Sequence, residues 1–309
     1  MRIVFFGTPD FAVPSLNALI DSGYDVAAVV TQPDRLKGRG HRLLPPPVKE
    51  LAALRGIPVL QPGGIRTPEF QEELAAFRPE AVVVVAYGKI IPPRVLKLPP
   101  VGCINVHASL LPKYRGAAPI QWAIISGDTV TGVTTMMMDE GLDTGDIILQ
   151  EETGISGEDN ALTLSNRLAE MGASLLPRTL EGLKNGSVKP VPQSGEPTFA
   201  PPLTKEVGFI DWSLPAQKLG DLIRGTYPWP GAYCFLSGQR LTIMRAKVLD
   251  GRRRGIPGRV EMIGSEEIQV STGRGVLSVF EVKPEGRKAM PAASFMHGRR
   301  MTEGAVFDV

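Results

Sequence analysis

Three polar residues of this chain could together catalyse group transfer: Asn105, His107 and Asp143. Asn105 and His107 are two positions apart and follow an apolar run that ends at Ile104, so we expect them on one face at the carboxyl end of a strand. An amide donates hydrogen bonds, and an imidazole exchanges protons near neutral pH. Such a pair suits acyl transfer, in which one group moves a proton while another stabilises a developing oxyanion.

Asp143 lies in a glycine-bracketed acidic turn, residues 141–146, between two strand-like runs. Glycines permit tight backbone turns, so this turn could present Asp143 towards His107. Both features also have structural interpretations, a satisfied polar pair for Asn105 and His107 and an ordinary hairpin turn for the acidic segment. The catalytic interpretation is favoured because His107 is one of only three histidines and ends a strand of the kind whose carboxyl end binds ligands in open α/β sheets.

The elements that must position these residues alternate between strands and helices. The pattern predicts a mostly parallel, twisted sheet with helices on both faces, a Rossmann-like α/β fold. Predicted strands cover 2–6, 25–30, 57–60, 81–86, 101–106, 130–138 and 146–151, and predicted helices cover 11–22, 45–55, 68–77, 117–126 and 160–184.

The pattern changes after residue 185. A stretch rich in proline and glycine predicts an extended linker, and short β-like runs separated by turn residues follow it, as in a small OB-like β-barrel. We therefore predict an α/β domain over 1–189, a linker over 190–206 and a smaller C-terminal β-barrel over 207–309.

Composition indicates an ordinary globular protein. The 309 residues are 43% hydrophobic and 21% charged, with a net charge of +2. From residue 206 onward 15 Lys and Arg stand against 11 Asp and Glu, whereas the preceding part has 19 against 21, so the C-terminal part is mildly basic. The amino terminus begins directly with a strand and no apolar run approaches membrane-spanning length, so we expect neither a secretory leader nor a membrane span, and a cytoplasmic location.

Three other chemistries are disfavoured. The loop after the first strand, residues 7–10, lacks G-x-G-x-x-G, so it does not support dinucleotide binding. Cys103 is surrounded by apolar strand residues, which indicates a small buried hydrophobe rather than a nucleophile. The two cysteines and the scattered His41, His107 and His297 have no metal-ligand spacing, so no metal site is expected.

Several longer segments carry a resemblance to a known family. The chain resembles the methionyl-tRNA formyltransferases, a branch of the folate-dependent formyltransferases, over essentially its whole length. Two small departures are Ala108, where glycine is common, and Tyr227, where asparagine is common. The matching segments are Phe6-Gly-Thr-Pro-Asp-Phe11, Thr31-Gln-Pro-Asp34, Gly38-Arg-Gly40, Val85-Ala-Tyr-Gly88, Gly102-Cys-Ile-Asn-Val-His107, Ser109-Leu-Leu-Pro112, Arg115-Gly-Ala-Ala-Pro-Ile-Gln121, Gly141-Leu-Asp-Thr-Gly-Asp146, Ile210-Asp-Trp212, Pro228-Trp-Pro-Gly231 and Gly286-Arg-Lys-Ala-Met290.

This resemblance implies N-formylation of the methionyl group on initiator tRNA, with 10-formyltetrahydrofolate as the formyl donor. It makes Asn105, His107 and Asp143 the catalytic set. It also implies that the loop formed by Ser109, Leu110, Leu111 and Pro112 binds the folate. Our default expectation for the oligomeric state is a monomer.

The tRNA is expected to contact basic side chains in two places. The first is the loop between the second and third strands, with Arg35, Lys37, Arg39 and Arg42, although a basic loop is often only a solvated surface. The second is the predicted barrel, with Arg245, Lys247, Arg287 and Lys288. Trp212 and Trp229 could stack on bases, but buried structural roles are the favoured interpretation.

Two rival functions share the first domain. Another folate-dependent formyltransferase, acting on a nucleotide-sugar amine or a small ribonucleotide amine, would use the same catalytic set and folate loop. The β-rich C-terminal part and the basic segment 32–44 favour tRNA instead. A non-catalytic tRNA-binding protein is the second rival, and the intact catalytic set argues against it.

Overall fold

The computed structural model describes residues 1–37, 42–249 and 255–308, without the side chains of Lys37 and Arg42. The described residues form two compact units. The first comprises residues 1–119, 130–154 and 165–200; the second comprises 120–129, 155–164 and the described residues from 201 onward.

Strands and helices alternate through the first 200 residues, as predicted. Their order is β1 (Arg2–Gly7), α1 (Val13–Asp21), β2 (Asp25–Val30), β3 (Arg35–Lys37), β4 (Arg42–Leu44), α2 (Pro47–Leu54), β5 (Val59–Leu60), α3 (Pro68–Ala76), β6 (Ala81–Val85), α4 (Pro93–Leu96), β7 (Gly102–His107), β8 (Arg115–Gly116), α5 (Pro119–Ser126), β9 (Val130–Met137), β10 (Ile147–Gly154), α6 (Ala161–Asn185) and β11 (Phe199–Ala200).

Seven strands form the main sheet of the first unit, in the order β10-β9-β7-β6-β1-β2-β5. The five strands from β7 to β5 run parallel, and β9 and β10 are antiparallel additions at one edge. Parallel strands are buried on both faces and therefore read as continuous apolar runs. In β6 all five residues, Ala-Val-Val-Val-Val, are buried. The predicted mostly parallel α/β sheet is confirmed.

The direction of the strand order reverses between β1 and β6, because β2 and β5 follow β1 on one side while β6 and β7 extend the sheet on the other. Open α/β sheets bind ligands outside the carboxyl ends of the strands at such a reversal. A cavity of about 370 Å³ lies there. It is lined by the segments that follow β1, β2 and β6, among them Thr8, Pro9, Gln32, Pro33, Tyr87 and Gly88.

A polar network holds the segment after β2 at the rim of this cavity. Lys49 donates to both oxygens of Asp34, at 2.8 and 2.9 Å, and Gln61 donates to Asp34 Oδ1 at 2.8 Å and to the carbonyl of Gln32 at 2.9 Å. The hydrogen bonds from Lys49 and then Gln61 lower the pKa of Asp34. The loop Gln32–Asp34 is therefore fixed by charge-assisted contacts.

The second unit contains an antiparallel sheet. The remaining elements are α7 (Ala216–Thr226), β12 (Ala232–Leu236), β13 (Gln239–Leu249), β14 (Val260–Ile263), β15 (Ile268–Ser271), β16 (Val276–Pro284), β17 (Met290–Pro291) and α8 (Ala292–Gly298). Strands pair in the order β12-β13-β16-β15-β14, with β17 also on β16. The sequence predicted β-like runs for β12 to β16 but not β17, α7 or α8. Leu219 and Ile223 of α7, with Phe295 and Met296 of α8, lie in the core beneath this sheet.

The segment 304–308 links the two edges of this sheet. On one side the amide of Val260 donates to the carbonyl of Ala305 at 2.8 Å, and on the other the amide of Asp308 donates to the carbonyl of Phe235 at 2.9 Å. Val260 begins β14 and Phe235 lies in β12, so the C-terminal segment supplies the contacts that close the sheet into a barrel-like form.

Two predicted connections have more structure than expected. The basic segment 32–44, expected as a loop, contains two short antiparallel strands, β3 and β4, in which Arg35 lies opposite Leu44 and Lys37 opposite Arg42. The predicted linker 190–206 hydrogen-bonds within the first unit as far as Ala200, where β11 pairs with β8. Neither pairing was predicted, because the turn-forming residues of these two segments show no alternating strand pattern. The boundaries at 189 and 207 stay predictions.

Candidate active site

His107 is the last residue of β7, between β6 and β9. Its ring is 6% exposed. Asn105, two residues earlier, lies opposite Val84 in β6 and Met136 in β9. The alternation of strand side chains therefore places Asn105 and His107 on one face at the carboxyl edge of the sheet, as the sequence predicted.

A backbone carbonyl determines which nitrogen of His107 carries the proton. Nε2 lies 3.0 Å from the carbonyl oxygen of Tyr114. A carbonyl only accepts, so Nε2 must donate, and the lone pair of the neutral ring is then on Nδ1. Nδ1 lies 3.8 Å from Asp143 Oδ2, which is beyond direct hydrogen-bond distance but close enough for charge attraction. The structure thus brings Asp143 to the proton-accepting side of His107.

The turn that carries Asp143 depends on its glycines for a reason other than the one expected. Asp143 itself takes the left-handed conformation, with φ 52°. A Cβ on Gly145 would overlap the carbonyl oxygen of Met137, and a Cβ on Gly141 would overlap Thr144 Oγ1. The glycines permit close backbone packing, while the aspartate adopts the conformation usually left to glycine.

Hydrogen bonds hold both the carboxylate and the main-chain carbonyl of Asp143. Its Oδ2 accepts from the amide of Gly116 at 2.8 Å, and its carbonyl accepts from Gln193 Nε2 at 2.8 Å. The carboxylate is thus oriented by β8 and the main chain by a residue of the predicted linker.

The side-chain amide of Asn105 is half-buried and has no hydrogen-bond partner among the residues that the structure describes. Because the residue is only half-buried, solvent can reach this amide and no protein group has to pair with it. The two N–H donors are therefore available to a bound group beside His107.

The predicted folate loop is braced from within. Ser109 Oγ donates to the carbonyl of Lys113 at 2.6 Å, and Thr134 Oγ1 donates to the carbonyl of Ser109 at 2.6 Å. Thr134 also accepts from the amide of Leu111 at 3.1 Å, and Gln150 Nε2 donates to the carbonyl of Leu111 at 2.9 Å. Ser109 and Leu111 are buried, so Leu110 and Pro112 are the loop side chains that remain partly accessible.

The predicted tRNA contacts fall into separate groups. Arg35 lines the cavity at the sheet reversal and belongs to the same pair of strands, β3 and β4, as Lys37 and Arg42. Arg39 lies outside the described residues.

In the second unit the basic residues do not form one cluster. Arg245 and Lys247 are exposed on one side of β13, and the guanidinium of Arg245 stacks over the ring of Phe280 at 4.7 Å. Arg287 and Lys288 lie in the turn after Pro284. Pro284 pairs with Leu241, whereas Lys247 pairs with Ser278, so roughly 20 Å of strand separates the two pairs.

The two tryptophans differ in a way that the sequence did not predict. Trp212 is fully buried and stacks on Phe307 with ring centroids 5.0 Å apart, which confirms its structural role. Trp229 is 57% exposed, so a buried role is wrong for this residue. It is flanked by Pro228 and Pro230 in the connection between α7 and β12.

Cys103 is unsuited to nucleophilic chemistry. It is 1% exposed, and burial raises the pKa of its thiol to about 12. The interpretation of this residue as a small hydrophobe is confirmed. Among the described residues no group of three or more His, Cys, Asp or Glu could hold a metal ion. Nor does any described helix combine the length and apolarity needed to cross a bilayer.

Sequence reasoning missed Tyr114, Gln193, Thr134 and Gln150, which fix the site from outside the catalytic set. Tyr114 acts through its carbonyl, which every residue possesses, so no residue type could have revealed it. Gln193 lies in a polar, proline-rich stretch with the composition of a linker.

Comparison with known proteins identifies the class. Residues 1–180 match the formyl transferase family, and residues 202–300 match the formyl transferase C-terminal domain. The chain belongs to the formyl transferase family.

Several similar proteins of that family are methionyl-tRNA formyltransferases. The methionyl-tRNA formyltransferase of Pelotomaculum thermopropionicum is 52% identical over 307 residues, covering 99% of this chain and 98% of the relative. That of Thermodesulfovibrio yellowstonii is 50% identical over 302 residues, covering 98% and 97%. The solved methionyl-tRNA formyltransferase of Clostridium thermocellum shares the fold, with a TM-score of 0.57 and 19% identity over 81% of this chain and 95% of that one.

Proposed function

We propose that this protein transfers the formyl group of 10-formyltetrahydrofolate to the amino group of methionyl initiator tRNA, a step of translation initiation. Its relatives, about half identical over nearly the whole chain, carry the name methionyl-tRNA formyltransferase. In this proposal residues 1–189 form the catalytic domain, 190–206 the linker and 207–309 the tRNA-binding domain, in a cytoplasmic monomer.

The reaction needs no covalent enzyme intermediate. The neutral amine attacks the formyl carbon, the new C–N bond forms, and the bond from that carbon to the folate nitrogen breaks. An α-amino group has a pKa of about 7.7–8, so an appreciable fraction is neutral at physiological pH. The protein must remove a proton from the attacking nitrogen, stabilise the oxyanion and protonate the leaving nitrogen.

The observation that carries the mechanism is the hydrogen bond from His107 Nε2 to the carbonyl of Tyr114. It leaves Nδ1 as the atom that accepts the amine proton. The resulting imidazolium lies 3.8 Å from the carboxylate of Asp143, whose charge stabilises it. The same Nδ1–H then protonates the folate nitrogen as it leaves. A positioned acid–base group contributes about 100- to 10,000-fold to a rate.

Asn105 supplies the donor for the oxyanion. Its unpaired amide lies on the same strand face as His107, so both can reach one tetrahedral carbon. Removing one such donor typically costs about 100- to 1000-fold in rate.

The two substrates are assigned to two stretches of the same sheet edge. We assign the folate to Ser109–Pro112, where Leu110 and Pro112 offer apolar contact and the braced main chain is fixed in position. We assign the aminoacyl end of the tRNA to the cavity at the sheet reversal, whose proline and tyrosine lining suits an apolar methionyl side chain. Phosphates are then contacted by Arg35, Lys37, Arg39 and Arg42 of the basic segment 32–44, and by Arg245, Lys247, Arg287 and Lys288 of the second unit.

The test is single-turnover transfer from labelled 10-formyltetrahydrofolate to charged initiator tRNA, with the label scored in the aminoacyl product. Transfer to Met-tRNA by the wild type, and its loss in His107→Ala, are expected. A nucleotide-linked amino sugar and free methionine serve as competing acceptors. Transfer to the amino sugar but not to Met-tRNA would overturn the proposal.

A further inference from the structure

We propose that Gln193 is a positioning residue for the reaction, acting through Asp143 on His107. The inference rests on the proposed function and adds a residue from the predicted linker to the machinery. It derives from the hydrogen bonds of a single side-chain amide.

All the hydrogen-bonding capacity of the Gln193 amide is used at the site. Nε2 donates to the carbonyl of Asp143 and to that of Gly145, both at 2.8 Å. Oε1 accepts from Nε and Nη2 of Arg115, at 3.1 and 2.7 Å. An amide has two donors and one oxygen with two lone pairs, so each is matched.

These four bonds join the two segments that orient the carboxylate of Asp143. One pair holds the turn, where Asp143 has a φ of 52° and its carbonyl is fixed by the glutamine. The other pair holds Arg115, whose neighbour Gly116 donates its amide to Asp143 Oδ2 at 2.8 Å. Gln193 therefore connects the backbone of Asp143 with the donor that aims its carboxylate at His107.

The chain on both sides of Gln193 is anchored to the same region. Val191 exchanges backbone hydrogen bonds of 2.8 Å with Ile147, just after the acidic turn. Thr198 Oγ1 accepts from the amide of Tyr114 at 2.8 Å, and the carbonyl of Tyr114 binds His107. The segment therefore supports both sides of the imidazole, its proton-accepting side through Asp143 and its donating side through Tyr114.

A second glutamine, Gln150, contacts the proposed folate loop instead of the Asp143 turn. Gln150 Nε2 donates to the carbonyl of Leu111 and to Thr134 Oγ1, both at 2.9 Å. Its amide braces the proposed folate loop and does not contact the Asp143 turn. Loss of Gln150 should therefore weaken folate binding, whereas loss of Gln193 should slow the chemical step.

The experiment measures kcat and both KM values for Gln193→Ala, Gln193→Glu and Gln150→Ala. Both Gln193 variants should lose about 10- to 100-fold in kcat, part of the contribution of a positioned base, with each KM within about threefold. Gln193→Glu keeps the acceptor for Arg115 and loses both donors, so it remains informative if the alanine variant is poorly folded. Gln150→Ala should raise the KM for the folate instead, and Ser194→Ala, at the adjacent exposed residue, should match the wild type.

A double-mutant cycle separates positioning from general destabilisation. If Gln193 acts through Asp143, adding Gln193→Ala to Asp143→Ala should lower kcat by less than about twofold, because the aspartate that it positions is gone. Multiplicative losses, or an unchanged kcat in both Gln193 variants, would overturn the inference. An inactive wild type would overturn the proposed function and the inference together, whereas an active wild type with fully active Gln193 variants would overturn the inference alone.

Discussion

The sheet edge around His107 and the outer surface of β13 show two ways of preparing a protein for a substrate. Around His107, the imidazole and the carboxylate of Asp143 are each held by a partner at a defined distance, the imidazole by Tyr114 and the carboxylate by Gly116. On β13, Arg245 and Lys247 project into solvent. Arg245 has an aromatic ring beneath it, but neither residue has an ion pair among the described side chains.

The difference follows from what each region must recognise. A transition state requires atoms within a few tenths of an ångström, and preorganised dipoles provide that precision. A phosphate backbone presents charge over a long surface, and flexible cations suffice for it. Substitutions at the first region should therefore cost rate steeply, and those at the second should cost affinity gradually.

The largest effect is expected for His107→Ala. Without the proton-accepting nitrogen, the single-turnover rate should fall by about 100- to 10,000-fold, with KM for the tRNA nearly unchanged. Rapid-quench measurement with saturating substrates checks this result. A variant with near wild-type rates would remove His107 from the mechanism and abolish the contrast between the two regions.

A somewhat smaller loss is expected for Asn105→Ala. Removal of the amide donors should lower kcat by about 100- to 1000-fold, again without a matching change in either KM. Asn105→Asp, of the same shape but without donors, should be at least as impaired, because a carboxylate repels an oxyanion. An aspartate variant with the activity of wild type would contradict the role of this amide.

The second region is tested by substituting Arg245 and Lys247 with alanine together. If each contacts one phosphate, the slope of log affinity against log salt should flatten by about 1.4–1.8 in total, and kcat at saturating tRNA should not change. Titration of tRNA binding between low and moderate salt gives this slope. An unaltered slope would exclude both residues from the tRNA-binding surface.

The smallest effect is expected for alkylation of the two cysteine thiols in the folded protein. Cys103 and Cys234 are both buried as free thiols, and burial raises the pKa of each. Alkylation at pH 8 should therefore be slow in the folded protein and fast after denaturation, because the thiolate is the reactive form. Rapid labelling of Cys103 in the native state would show that the strand before Asn105 is more open than the structure indicates.

Much of the catalytic edge could be predicted because its signals are local. The i, i+2 spacing of Asn105 and His107 specifies a shared face once a strand is assumed. The glycines around Asp143 indicate a close turn. Its approach to His107 does not follow from the strand order, because β9 runs antiparallel to β7 and Met137, the last residue of β9, pairs with Ile104.

The other contacts of the site could not be predicted, because they are made by backbone atoms or by residues far apart in the sequence. Tyr114 contributes a carbonyl, and Gln193 lies 50 residues beyond its partner Asp143. By contrast, Leu219 and Ile223 are spaced four apart, a helical signal for α7 that the β-rich surroundings concealed.

The position of segment 304–308 in the chain affects how the sheet of the second unit forms during synthesis. The segment follows every other strand of its sheet in the chain, so it leaves the ribosome after all of them. Until then β12 and β14 present open edges, and open edges pair readily with other nascent chains. Rapid capture of these few residues by both strands would protect the growing protein from aggregation during synthesis.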